Sequence, residues 1–110
     1  MQKKTIRDVA LEGKRVLIVE DGPTVTHGGM GYGAGWVAAQ NCSVGEIIDP
    51  RVSATGSIRK TLERYSHLKP VLPAMGYSPE QRSELKSTIE SSGAEVVING
   101  SPADIAGLLQ

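Results

Sequence analysis

Residues 15–42, RVLIVEDGPTVTHGGMGYGAGWVAAQNC, contain three features that together decide the fold. The β-branched apolar run VLIV at 16–19 lacks the alternation of a half-exposed strand, so it predicts a strand buried on both faces of a parallel sheet. The alanine-rich segment at 34–42 favours a helix. A long glycine-rich segment separates the two. A buried strand, a loop and a helix in this order form the first part of a βα fold.

The same order recurs three more times along the chain. Short apolar strands are predicted at 46–48, around 71–72 and at 94–98, and each is followed by a helix. Ser57 and Ser78 are candidate N-caps of the two middle helices. Four such units require right-handed crossovers and a parallel sheet. We therefore predict an α/β fold with a small open parallel sheet of four strands, half-Rossmann-like in the order 2-1-3-4, and helices on both faces.

Composition limits the classes of function. A chain of 110 residues has the size of a single domain, so residues 1–110 are predicted to form one. Twelve basic and twelve acidic residues cancel, and this balance argues against nucleic acid or an anionic membrane as a partner. No apolar run approaches the roughly 20 residues of a membrane span. The single cysteine, Cys42, excludes an intrachain disulfide, and a cytoplasmic location is expected.

The segment THGGMGYGAG at 26–35 is the predicted ligand site. Ligands of open α/β sheets bind at the carboxyl ends of the strands, and this loop far exceeds the usual length of about 2–6 residues. Its five glycines permit positive φ and close backbone approach, so that N–H groups and the following helix N-terminus can hold an anion. The ligand-binding candidates in and beside this loop are Thr24, Thr26, Gly28, Gly29, Tyr32 and Gly33.

Two residues are candidate catalytic residues, one in the loop and one at the end of the first strand. His27 can donate to a phosphate oxygen, shuttle a proton or take the phosphate itself; alternatively it bonds a loop carbonyl. Asp21 is a candidate catalytic residue. Asp21, or Glu20 before it, is also a candidate ligand for Mg²⁺ accompanying a phosphorylated ligand; the alternative is a carboxylate that caps the loop.

Of two common nucleotide-binding motifs, one matches this loop poorly and the other is absent from the sequence. Gly31, Gly33 and Gly35 give GxGxG rather than GxGxxG, which makes a dinucleotide-binding loop a poor match. The sequence contains no GxxxxGK[ST], so the chain is not expected to hydrolyse a nucleotide alone.

Other candidates follow the second strand. Arg51 is predicted either to clamp a phosphate or to pair with Asp49. Gly56 and Ser57 form a second anion-friendly helix start, for which ordinary capping is the alternative. The charged faces of the two middle helices mix signs and indicate solvated surface.

Three blocks of this sequence resemble a known family. They are GKRVLIVEDGPTVTHGGMGYGAGWVAA, DPR followed by GSI, and HLKPVLPAMGYSPEQ, and together they span about residues 13–99. They are similar to the C-terminal region of cyclic 2,3-diphosphoglycerate synthetase and related GTPase-annotated proteins. The third block adds Met75 and Gly76 to the ligand-binding candidates.

This resemblance implies a context for the chain. The family enzyme closes 2,3-diphosphoglycerate into a cyclic pyrophosphate at the expense of ATP, and its larger chain carries a P-loop domain upstream of the region matched here. The chain therefore resembles a detached C-terminal module, and a separate P-loop domain is the partner that the resemblance implies.

The sequence thus predicts a binding module for an anionic phosphorylated metabolite or nucleotide phosphate. Two alternatives remain open. One is a small phosphoryl-transfer or hydrolytic enzyme that uses His27 and Asp21 directly. The other is a structural module that forms homo-oligomers, because an open sheet has two edges that need cover.

Overall fold

A computed structural model describes residues 11–22, 25, 31–74 and 78–109. Strands and helices alternate along these residues, and no helix among them is long and apolar enough to cross a membrane. The elements are β1 (Arg15–Asp21), α1 (Ala34–Gln40), β2 (Glu46–Ile47), a 3₁₀ turn (Pro50–Val52), α2 (Gly56–Arg64), β3 (Leu72–Ala74), α3 (Pro79–Glu90), β4 (Val96–Gly100) and α4 (Ile105–Leu108).

The four strands form a parallel sheet in which β1 is the common partner. The start of β1 pairs with β2, and its last three residues, Val19–Asp21, pair with β3. These neighbours confirm the predicted order 2-1-3. The fourth strand differs from the prediction, because it pairs with β1 along Val16–Glu20 rather than with β3. With seven residues β1 offers a long partner for β4, whereas β3 has only three.

Alternate residues of β1 point into two hydrophobic clusters. Leu17 and Val19 contribute to one cluster, which includes residues of α2, α3 and α4. Val16 and Ile18 contribute to the other, which includes Ala39 of α1. All four of these β1 side chains are fully buried. This confirms that β1 is buried on both faces and that helices cover both sides of the sheet.

The ends of the middle helices show which local signals are reliable. Ser78 caps α3 in a capping box with Gln81, as its position before Pro79 predicts. Ser57 is not an N-cap, because α2 begins one residue earlier, at Gly56. The Ser57 hydroxyl instead donates to a carboxylate of α3, as described below.

Candidate functional site

Three strands of the sheet end side by side, and their carboxyl ends form the edge where the site is expected. Asp21 at the end of β1 is in register with Ala74 of β3, and Glu20 is in register with Gly100 of β4. In sequence, the glycine-rich segment lies between Asp21, the last residue of β1, and the start of α1. This edge therefore carries the segments that follow β1, β3 and β4.

Glu20, the last fully buried residue of β1, occupies the centre of this edge. Its carboxylate accepts hydrogen bonds from the backbone N–H groups of Gly33 (2.6 Å), Gly35 (2.9 Å) and Trp36 (2.9 Å). The side chain is 0% exposed although it is a carboxylate. A buried charge of this kind is tolerated only where hydrogen bonds replace water, and these three amides supply them.

Glycines surround Glu20 because a side chain would not fit there. A Cβ at Gly35 would lie 2.9 Å from Ile18 Cγ2 and 3.0 Å from Glu20 Oε1. A Cβ at Gly100 would lie 2.5 Å from the Gly35 nitrogen and would also overlap Glu20. Gly33 has an extended backbone, with φ of −142°. Close approach, rather than positive φ, is therefore what the structure requires of these glycines.

The amides at the start of α1 were expected to bind an anionic ligand, but they bind the carboxylate of Glu20 instead. The N–H groups of Gly33, Gly35 and Trp36 point at an internal carboxylate, which sits where an anionic ligand was predicted to meet the first turn of α1. Sequence reasoning missed this role of Glu20. The available signal was a carboxylate placed directly after a buried apolar run and before a glycine-rich segment.

Residues 67–69, in the connection between α2 and β3, contact the chain on both sides of residues 26–30. The backbone N–H of Lys69 donates to the carbonyl of Gly31 at 2.8 Å. A Cβ at Gly31 would lie 2.6 Å from the carbonyl oxygen of His67, so the two backbones touch. The His67 Nε2 atom lies 3.2 Å from the carbonyl oxygen of Val25. The connection thus contacts the chain between β1 and α1 at two points, Val25 and Gly31.

The same connection also contacts the turn after β2. Arg51 donates through one guanidinium nitrogen to Asp49 Oδ1 at 3.2 Å and through another to the carbonyl of Leu68 at 2.9 Å. Pairing with Asp49 is the structural alternative that the sequence left open for Arg51, and it is present here. Residues 67–69 therefore link the DPR turn to the glycine-rich segment. No periodicity or motif in the sequence predicts that link.

The second predicted anion niche, at the start of α2, also contains a carboxylate of this chain. Glu84 of α3 accepts from the Ser57 backbone N–H at 2.6 Å and from the Ser57 hydroxyl at 3.0 Å. Gly56 has φ of +55°, and a Cβ there would overlap the Glu84 carboxylate. In this structure Gly56 and Ser57 thus join α2 to α3.

The remaining candidates divide into two groups. Tyr32 and Asp21 are both partly buried, next to the carboxyl edge. Among the residues that the structure describes, no cluster of three His, Cys, Asp or Glu side chains suits a metal ion, so Mg²⁺ binding by Asp21 stays a prediction. The candidates that lie outside the described residues are Thr24, Thr26, His27, Gly28, Gly29, Met75 and Gly76.

Comparison with known proteins shows that most of the chain is similar to part of a longer protein. Over 95 residues, or 86% of the chain, it is 58% identical to arginine synthetase ArcE of Thermococcus kodakarensis. The matched region makes up 21% of that protein, so the chain spans about a fifth of the relative's length. No protein-family model and no solved structure matches the chain. By this match and by its motifs, the chain is related to the C-terminal domain of the cyclic 2,3-diphosphoglycerate synthetase-related proteins.

Proposed function

We propose that this chain is the ligand-binding domain of a synthetase-type enzyme and that it binds an anionic, phosphorylated small molecule at the carboxyl edge of its sheet. The observation that carries the proposal is the anchoring of the glycine-rich segment at both ends. Glu20 holds Gly33 and Gly35, while Lys69 holds Gly31 and His67 contacts Val25. The sequence between Val25 and Gly31, THGGM, joins two fixed points on a scaffold suited to binding.

The position of Glu20 also indicates which part of the segment takes the anion. A buried carboxylate at the first turn of α1 repels a second negative charge and already uses the N–H groups of Gly33, Gly35 and Trp36. Thr26 and His27 offer a hydroxyl and an imidazole, and the two glycines after them offer unhindered amides. The phosphate group is therefore assigned to residues 26–29 rather than to the helix end.

The relatedness to synthetases supports a role for this domain in a nucleotide-dependent synthetase reaction. A synthetase requires activation by a nucleotide, and this sequence carries no P-loop, so a separate P-loop domain is the proposed partner. Mg²⁺ would accompany the phosphate, with Asp21 as its proposed protein ligand.

A second candidate function has its own support. The relative that shares 58% identity is named for the synthesis of arginine, not of a cyclic phosphate. On that basis the domain would serve an arginine-forming synthetase, and its ligand would be arginine itself. Titration with two different ligands separates the two candidates.

The test is calorimetric titration of the chain with 2,3-diphosphoglycerate, with and without Mg²⁺. We expect saturable binding, weakened about tenfold or more in His27→Ala and in Gly29→Val. The exposed residue Ser87 supplies the matched control, and Ser87→Ala should bind like the parent.

Parallel titrations with ATP, inorganic phosphate and L-arginine complete the experiment. Absence of binding to every phosphorylated compound, with and without Mg²⁺, contradicts the first candidate. Binding of arginine alone supports the second.

A further inference from the structure

A cleft between α3 and α4 combines an apolar chamber with two cations. The chamber has a volume of about 250 Å³ and is walled by Leu85 of α3 and by Ala103, Ile105 and Leu108 around α4. Ala74, the last residue of β3, also lines the chamber. The chamber therefore lies at the carboxyl end of a parallel strand, where α/β sheets place their ligands.

An outer hollow of about 340 Å³ adjoins this chamber and shares Arg82 and Leu108 with it. Lys86 and Ser83 also line the outer hollow. Because Arg82 and Lys86 are four residues apart on α3, they lie on the same face of the helix. Together the chamber and the hollow reach the size of small-molecule sites, which are roughly 300 Å³ or larger.

Unlike four other basic residues of the described chain, Arg82 and Lys86 have no ion-pair partner. Lys14, Arg15, Arg51 and Arg59 each have a carboxylate partner. Within residues 11–22, 31–74 and 78–109, no ion pair involves Arg82 or Lys86. Like charges at this spacing repel each other, so an anion placed between them would remove an unfavourable interaction.

The chamber also contains a negatively charged side chain. Asp104 lines the chamber, and its Oδ1 atom accepts from the Gly107 N–H at 3.0 Å. Its negative charge excludes an anion from that side. The cleft thus combines the two cations of α3, apolar walls and one carboxylate near α4.

We propose that this cleft binds a small organic anion, a carboxylate or phosphate ester with an apolar body. The charged group lies between Arg82 and Lys86, with Ser83 as a hydroxyl donor, and the apolar body enters the chamber against Leu85 and Leu108. The site goes beyond the proposed function, since it uses no residue of the glycine-rich segment and stands whether or not that segment binds a ligand.

The test uses phenyl phosphate as probe and amide chemical shifts of the ¹⁵N-labelled full chain as readout. We expect saturable shifts at Ala74, Ala103 and Leu108. Inorganic phosphate, which lacks an apolar body, should bind about tenfold more weakly or worse. The double variant Arg82→Gln/Lys86→Gln should weaken phenyl phosphate binding by about tenfold or more.

The control variant removes two positive charges from α2 instead of α3. Lys60 and Arg64 are exposed and also four residues apart on α2, so Lys60→Gln/Arg64→Gln should leave the affinity unchanged. Ala103→Leu, which fills the chamber from its wall, should abolish the shifts. The proposal is overturned if the Arg82/Lys86 variant binds like the parent, if both double variants lose affinity equally, or if the shifts map away from the cleft.

Discussion

Glu20 shows how one buried residue shapes the surrounding sequence. Its carboxylate takes three backbone N–H groups, and three glycines, Gly33, Gly35 and Gly100, leave the space it needs. The dense glycine spacing before α1 therefore has a structural cause close to the sheet. The same spacing suggested an anion site from sequence, because amide clusters bind internal carboxylates and external phosphates by the same physics.

Replacing Glu20 by glutamine tests this arrangement at constant shape. In either amide orientation, the new NH₂ group faces a backbone N–H donor of Gly35 or of Gly33 and Trp36. We expect Glu20→Gln to lower the free energy of unfolding by about 2–3 kcal/mol, measured by urea denaturation. Glu90→Gln, at an exposed position on α3, should change it by less than about 0.5 kcal/mol. Equal stability of the two variants would contradict the assignment.

Gly100 tests the space around the same carboxylate. A methyl group there meets the backbone of Gly35 and the Glu20 side chain, so we expect Gly100→Ala to cost about 1–3 kcal/mol through overpacking. Gly93 has open space but φ of +79°, and Gly93→Ala should cost only about 1 kcal/mol of backbone strain. Thermal unfolding of both variants ranks them. A larger loss for Gly93→Ala would refute the crowding at Gly100.

At the scale of elements, local signals predict what lies within a few residues and miss what lies further along the chain. The capping box of Ser78 and Gln81 spans three residues and follows from sequence. The bond between Ser57 and Glu84 spans 27 residues, and only the packing of α2 against α3 brings the two together. The link between Arg51 and Leu68 is unpredictable from the motif for the same reason.

A double-mutant cycle measures the link between α2 and α3. Ser57→Ala removes the hydroxyl donor to Glu84, and Glu84→Ala removes the acceptor of both Ser57 hydrogen bonds. We expect a coupling free energy of about 1 kcal/mol from urea denaturation of the two single variants and the double variant. Strict additivity would show that the hydroxyl–carboxylate bond contributes nothing to folding.

The start of the sheet carries a pH-sensitive contact. A hydrogen bond from the Arg15 backbone N–H, with smaller contributions from the charges of Lys14 and Arg15, lowers the pKa of Glu95 below its ordinary value of 4.5. A lowered folded-state pKa stabilises the fold above the unfolded-state value, and that contribution is lost as the pH falls through the folded-state pKa.

Glu95→Gln should therefore reduce stability most near neutral pH and progressively less as the solution is acidified below about pH 4.5. Urea denaturation of parent and variant from pH 7 to pH 3 measures this difference. A difference that is constant or grows in acid would contradict the lowered pKa.

For the whole molecule, the alternation of apolar runs and helix signals was sufficient to predict the α/β class, the parallel sheet and burial of both faces of β1. The pairing of β4 with β1 was not predictable, because all the buried strands are short apolar runs and the hydrophobic pattern does not specify which of them are neighbours. The carboxyl edge followed from the topology. The roles of Glu20 and Glu84 did not, since both look like ordinary acidic residues until the fold brings backbone amides to them.

The central claim is that a phosphorylated ligand binds the glycine-rich segment beyond the amides that Glu20 already occupies. Amide chemical shifts of the ¹⁵N-labelled chain during titration with 2,3-diphosphoglycerate and Mg²⁺ test it most directly. The predicted result is saturable shifts concentrated at residues 26–29, with the largest not at Gly35 or Trp36. No saturable shifts, or shifts largest at Gly35 and Trp36, would contradict it.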